Sequence, residues 1–339
     1  MGKGLLSFTQ NGIYCEKAGV YIDPWRPVEK AIITHGHADH SRWGNKEYIS
    51  HHHSVPIIKN RLGEINIRGI EYDDPFSVNG ISFSLHPAGH IPGSAQVRVE
   101  HKGEVWVVSG DYKLTDDGLS APFEPVKCHT FITECTFGLP VFRWKEQAEV
   151  LEEINKWWKT NREKGITSIL IAYSLGKAQR LLKGIDHSAG RVFTHGAIEN
   201  MNEVIRGMGI ELPVSTRITR DVKKENFRGE LVLAPPSAIA SPWIRKFNPY
   251  SLGIASGWMA LRGMRRRRAA DRGFVLSDHA GWEGLNKAIE QTGAEKIITT
   301  HGYTDIFTEW LKEKGYDAAI ESTEFEGESV DTDHVEGQE

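Results

Sequence analysis

The sequence predicts an α/β protein, and three observations carry that prediction. Up to about residue 135 the chain breaks into short apolar runs separated by turns, the pattern of an antiparallel or mixed sheet. From about Lys145 apolar residues recur at helical spacing and alternate with compact apolar runs, the pattern of a parallel α/β unit. Beyond about residue 270 short buried runs return around one further helix.

The elements follow in order. Gly19–Asp23, Ala31–Thr34, Ile81–Leu85, Gln96–Glu100, Val105–Ser109 and Thr130–Thr133 read as strands. Asn79-Gly80 and Lys102-Gly103 supply turn chemistry between neighbours. Glu146–Lys159 reads as a helix with Val150, Leu151, Ile154 and Trp158 on one face. Ser168–Ala172 reads as a buried strand, and Ser174–Leu182 as a loop that becomes a helix. Gly229–Ala234 and Leu252–Ser256 extend the same parallel unit. Gly273–Ser277, a helix near Gly284–Thr292, and Lys296–Thr300 complete the chain's last folded stretch.

Composition sets the outer bounds. With 339 residues, 39% hydrophobic and 25% charged, the chain is long enough for one large core or two moderate ones. It has no apolar run of membrane-spanning length and no apolar leader, so a membrane role is not expected. Cys15, Cys128 and Cys135 are an odd count without a close pair, which fits a reducing, cytoplasmic setting. Net charge is −4, but residues 321–339 hold eight carboxylates and no Lys or Arg. That segment reads as a disordered acidic tail, and the body before it is mildly basic. The densest positive run, Arg262 and Arg265 to Arg268, suits a nucleic-acid backbone, although consecutive arginines cannot all share one helix face.

The chemistry concentrates in His35-Gly36-His37-Ala38-Asp39-His40, directly after an apolar strand. Imidazole and carboxylate ligands suit Zn, Mn or Fe, and Gly36 and Ala38 leave room for a tight loop. Four potential ligands in six residues cannot easily all serve one tetrahedral ion, so alternate residues naturally feed two neighbouring ions. His51-His52-His53, with no carboxylate beside it, reads as a surface loop, and His86 as a surface or supporting histidine.

H-x-H-x-D-H after a strand resembles the signature of the metallo-β-lactamase superfamily, and its companion motifs follow in order. Asp23 closes Tyr21-Ile22-Asp23, His90 stands in Pro87-Ala88-Gly89-His90, and Asp111 in Ser109-Gly110-Asp111. Thr133-Glu134-Cys135-Thr136-Phe137-Gly138, Tyr173–Leu182, Ser277-Asp278-His279-Ala280 and Thr300-His301-Gly302 resemble the β-CASP nuclease branch. The whole looks most like bacterial ligase-associated DNA exonucleases of the mRNA 3′-end processing type.

The resemblance implies an αββα sandwich with an inserted small α/β domain. The expected divisions are 1–139 and 271–320 for the sandwich, 140–270 for the insert, and 321–339 for the tail. It implies that His35, His37 and His90 hold one divalent ion, that Asp39, His40 and His301 hold another, and that Asp111 lies between them. Zn or Mn fits that ligand set. Two such ions can hold a hydroxide and neutralise the charge that develops on a phosphodiester. The resemblance casts Asp39, His279 and Glu134 as catalytic, His279 as proton donor and Glu134 as the group orienting its ring. Lys177 and Arg180, beside a helix N-terminus, offer a phosphate grip or a solvated helix face.

The expected activity is therefore metal-dependent nuclease action on DNA single strands or ends in repair, beside a ligase and helicase set. RNA 3′-end processing is the alternative, and His301 fits it. A small-molecule metallohydrolase is a second alternative, disfavoured by Tyr173–Leu182 and the arginine run. A metal-free nucleic-acid scaffold would require degraded ligands, and the full ligand set is present.

Overall fold

The computed structural model describes residues 4–267 and 269–325. It divides into two compact units, one made of the chain up to Arg143 together with the stretch from His279, the other Trp144–Asp278.

The first unit holds two sheets. One runs in the order β1 (Ser7–Thr9), β2 (Gly12–Cys15), β3 (Val20–Ile22), β4 (Lys30–Ile33), β5 (Glu47–His51), β6 (Ile67–Ile70). Its first three strands are antiparallel and β3 to β6 are parallel, with α1 (Ser54–Leu62) crossing from β5 to β6. The other sheet contains β7 (Phe76–Val78), β8 (Ile81–Pro87), β9 (Ala95–His101), β10 (Glu104–Val108) and β11 (Thr130–Cys135). It is completed, beside β11, by two strands from late in the chain, Lys296–Gly302 and then Asp317–Ile320.

Strand periodicity fixes how these layers pack, because successive side chains face opposite sides. Ile32 of β4 joins the core between the sheets, whereas its neighbours Ala31 and Ile33 pack with Ile58 of α1. In β10, Trp106 and Val108 face inward, while Val105 and Val107 meet the far helical layer. That layer supplies Trp282, Leu285 and Ile289 from the helix Trp282–Thr292, and Phe307 and Leu311 from Thr304–Glu313. The unit is thus helix, sheet, sheet, helix.

The second unit is a six-stranded, all-parallel sheet covered on both faces. Its strands are β12 (Thr167–Ile171), β13 (Val192–Thr194), β14 (Thr216–Arg217), β15 (Leu231–Ala234), β16 (Tyr250–Ala255) and β17 (Arg272–Phe274), in the order β14-β13-β15-β12-β16-β17. Every pairing is parallel. Its helices are α2 (Gln147–Glu163), α3 (Lys177–Gly184), α4 (Gly196–Gly207) and the short α5 (Met264–Arg267); the late strands of the first unit are β18 and β19, and its two later helices α6 and α7. Val150, Ile154, Trp158, Leu181 and Leu182 cover one face over Leu170, Leu231 and Leu233. Phe227 and Phe247 close the other over Phe193, Ile169, Val232 and Ile254. Burial on both faces is what a parallel sheet requires.

Two expectations change. The strand at Gly273 pairs with β16, so it closes the second sheet and does not begin the return to the first. The segment from Glu321, expected to be disordered, is packed as far as Phe325: the Glu321 N–H donates to the Thr299 carbonyl at 3.0 Å, and Glu324 pairs with Arg26. The rest of that segment, 326–339, lies outside the described residues, as does Arg268 of the arginine run.

Candidate metal centre

The centre is built at strand ends in the first unit. His35 follows β4, His90 lies in the turn between β8 and β9, Asp111 follows β10, Glu134 is in β11 and His301 in β18. In parallel strands the carboxyl ends share one edge, so residues far apart in sequence converge there. Gly110 makes the exit from β10 possible: its φ is +57°, and a Cβ there would lie 2.7 Å from the Thr34 Cβ.

Two groups form around Asp111. On one side His35 Nε2 and His90 Nε2 lie 3.2 and 3.0 Å from His37 Nδ1, and 3.4 and 3.8 Å from Asp111 Oδ2. On the other, His301 Nε2 and His40 Nε2 lie 3.2 and 3.6 Å from Asp111 Oδ1. Asp39 adjoins the second group, 3.7 Å from His40 Nε2. Ligands of one tetrahedral ion with bonds of about 2.0 Å stand roughly 3.3 Å apart, which these spacings approach.

His40 Nε2, His301 Nε2 and Asp111 Oδ1 are buried and none makes a hydrogen bond. Leaving such atoms unpaired is costly, and a cation among them removes the cost. The field points the same way. Burial opposes charge on His40, yet Asp111, Asp39 and Asp23 push its imidazole up to about 10. Burial opposes charge on Asp111 as well, and His40, His279, His301 and His35 hold its carboxyl well below the usual range. His90 is pushed the other way, well below the ordinary imidazole value, by burial and by His279 and His37. The donor set therefore fits divalent metal.

Supporting contacts fix the ligands. Asp23 Oδ2 accepts hydrogen bonds from Thr34 Oγ1 at 2.6 Å and His40 Nδ1 at 2.8 Å, leaving His40 Nε2 to face Asp111. Ser94 Oγ accepts the N–H groups of His90 and Ile91 at 3.1 and 3.2 Å, shaping the turn that carries His90. Beside the first group, His279 Nδ1 lies 2.9 Å from both Glu134 oxygens, and its Nε2 lies 3.9 Å from Asp111 Oδ2. Glu134 is itself held by the Tyr112 N–H at 3.1 Å.

Lys177 and Arg180 are not a solvated phosphate grip. They are 1% and 3% exposed and engage Asp278: Arg180 donates to Asp278 Oδ1 at 3.0 Å and to the Ser277 carbonyl at 2.7 Å, and Lys177 Nζ is 3.6 Å from Asp278 Oδ2. Their charge fixes the residue that precedes His279. Nothing in the sequence pattern points to Phe325, whose ring stacks on His40 with centroids 4.2 Å apart and 12° between planes. His51 is the buried last residue of β5 and not part of a surface loop. Half-buried His86 pairs with Asp73 at 2.6 Å, away from the centre.

Fold and site define an α/β protein of two units with a histidine and carboxylate centre at the sheet edge of one of them. No protein-family model matches the chain. A Probable DNA ligase from Opitutus terrae is 29% identical over 91% of this chain and 30% of its own length. Endoribonuclease YSH1 of Kluyveromyces lactis is 30% identical over 35% of the chain and 16% of its own length; RNase aCSPSF2 of Saccharolobus solfataricus is 28% identical over 34% and 24%. The chain spans less than a third of the length of these relatives. A crystal structure of a protein of unknown function from Enterococcus faecalis shares the fold at a TM-score of 0.55 and 13% identity, over 79% of this chain and 74% of that one. The chain is a relative of the β-CASP nucleases of the metallo-β-lactamase superfamily. Within that branch it is like the ligase-associated group. Among the described residues no helix is long and apolar enough to cross a membrane.

Proposed function

We propose that the chain is a metal-dependent phosphodiesterase that hydrolyses DNA, at single strands or ends, by two-ion catalysis on an αββα metallo-β-lactamase sandwich with the Trp144–Asp278 unit as its β-CASP insert. The observation that carries this reading is Asp111, one oxygen toward His35 and His90 and the other toward His40 and His301. His35, His37 and His90 would hold one ion and Asp39, His40 and His301 the other, with Asp111 lying between the two groups. Zn or Mn, when bound, lowers the pKa of water and neutralises charge on the phosphodiester.

The chain's own groups do the rest. A new bond forms between water oxygen and phosphorus as the bond to the leaving oxygen breaks. Burial opposes charge on Asp39, but His40, His35 and His37 hold its carboxyl below the usual range, so it stays ionised and orients the attacking water, whose proton is released to solvent. Glu134 holds the Nδ1–H of His279, so the charged imidazolium is favoured and His279 Nε2 delivers a proton to the leaving oxygen. Lys177 and Arg180 pair with Asp278, the residue before His279 in the chain, and take no part in the chemistry.

DNA is favoured over RNA because the relative that matches nearly the whole chain is named a DNA ligase, which also supports action beside a ligase in repair. The endoribonuclease names of relatives that match about a third of the chain support the alternative, RNA processing. Three free, buried cysteines suit work in the cytoplasm. The test supplies matched single-stranded DNA and RNA with Zn or Mn to wild type, His37→Ala and His279→Ala. Cleavage of DNA that both substitutions abolish supports the reading. Cleavage that survives His37→Ala sinks the two-ion mechanism, and preference for RNA sinks the DNA assignment.

A further inference from the structure

His51 ends β5 and Ile70 ends β6, and the two are paired in register in these parallel strands. The next residues along each strand, His52 and Glu71, are therefore neighbours, with the His52 N–H donating to the Ile70 carbonyl at 3.1 Å. His51, His52 and Glu71 each offer one ligand atom within 4.8 Å of the others, and none belongs to the centre around Asp111.

Three features distinguish this group from an ordinary surface cluster. His52 Nδ1 stands 2.9 Å from a Glu71 oxygen, yet it makes no aligned hydrogen bond. His51 is 1% exposed, its Nε2 is buried without a partner, and its ring lies 4.2 Å from that of His52. Two imidazoles and a carboxylate are the ligand set of a zinc-class ion, with solvent left to complete the shell.

The group is also wired to the fold. Tyr72 stacks on the His51 ring at 3.6 Å, and its hydroxyl donates to the Ser94 carbonyl at 2.8 Å. Ser54, at the start of α1, donates its hydroxyl to the Gly93 carbonyl at 2.8 Å. An ion here would tie β5, β6 and α1 together beneath the turn that carries His90.

We propose that His51, His52 and Glu71 form a separate structural site for a zinc-class divalent ion that braces the His90 turn. The site lies outside the nuclease reading, and its failure would leave that reading standing.

The test uses the full chain without an affinity tag. Metal-free wild type, His37→Ala, His52→Ala with Glu71→Gln, and the triple variant are titrated with Zn against a chromophoric chelator and with Co, read by visible absorption. His52 and Glu71 are partly exposed, so these substitutions spare the core. Wild type is expected to bind one tight equivalent more than the His52→Ala, Glu71→Gln protein, and His37→Ala one more than the triple variant. The Co spectrum of that equivalent should be lost, and its Zn binding at least a hundredfold weaker, in both proteins that lack His52 and Glu71. Added Zn should raise the melting temperature of His37→Ala protein by more than that of the triple variant. Identical stoichiometry and spectra in the two proteins, or binding only at millimolar metal, would overturn the proposal.

Discussion

The His279 imidazole presents Nδ1 to the Glu134 carboxylate at 2.9 Å from each oxygen, so the ring is held by a buried acid and only Nε2 faces the centre. Glu134→Gln removes the charge that favours the imidazolium while keeping the side chain's size. Turnover is expected to drop by a factor of about 10²–10⁴, the usual worth of a proton donor. Metal content, measured by mass spectrometry, should not change. A loss of bound metal in step with activity would instead assign Glu134 to the ligand shell.

Asp23 governs the other side of the centre. Its Oδ2 accepts from both Thr34 and His40, and its Oδ1 accepts the Thr34 N–H at 2.7 Å. Asn at this position tolerates the backbone, whose φ is +44°, but exchanges one acceptor oxygen for a donor. Asp23→Asn is expected to weaken binding of the ion beside His40 about 10–100-fold. Chelator competition should strip one of the two equivalents of the Asp111 centre from the variant well before the other. Two equivalents leaving together at the wild-type concentration would refute this.

How far these residues can be read from sequence depends on how they are brought together. His35 to His40 announce themselves, since one short loop after one strand carries four ligands. The strands β8 to β11, and β12, β15 and β16 of the second unit, are equally legible, because each is a compact apolar run with its own turns, whereas the three- and two-residue strands β13 and β14 are too short to show a period. Glu71 is not: eighteen residues, among them a helix, separate it from His51–His52, and only the β5–β6 register makes them neighbours. Lys177 and Arg180 mislead for a related reason. Cations at a helix start read as exposed until Asp278, about a hundred positions later, is known to cover them. Phe325 disappears into the averaged composition of an acidic segment.

Gly302 tests whether the strand end itself positions His301. Its φ is +100°, and a Cβ would lie 2.2 Å from the Cys135 carbonyl oxygen and 2.4 Å from Thr136 Cα, both backbone atoms of β11 or its exit. Neither can yield without parting β18 from β11. Gly302→Ala should destabilise the protein by several kcal/mol, from backbone strain of about 1–3 kcal/mol plus the overlap. Gly207→Ala, which meets nothing within 4 Å, serves as the control and should melt at or slightly above wild type. Equal melting temperatures for the two alanine variants would show that β18 has room that the geometry denies it.

Glu199 gives the second unit a pH dependence of its own. This buried carboxylate, near the start of α4, accepts hydrogen bonds from Thr194 and Ser215 at 2.6 Å each, Arg206 at 2.8 Å and Asn202 at 2.9 Å. Burial works to raise its pKa, but Ser215, Thr194, Arg206 and Asn202 together hold it below the ordinary 4.5. A depressed folded value means the carboxylate contributes stability above pH 4.5, and that the contribution is lost as pH falls through the folded value. Glu199→Gln keeps the shape, loses the charge, and leaves an amide among donors, a cost of about 1–3 kcal/mol at pH 7. Urea denaturation followed on both proteins from pH 7 down to pH 3 should therefore show a wide gap that closes in acid. A gap that stays constant across that range would mean Glu199 is not ionised in the folded chain, and that the four donors are satisfied in some other way.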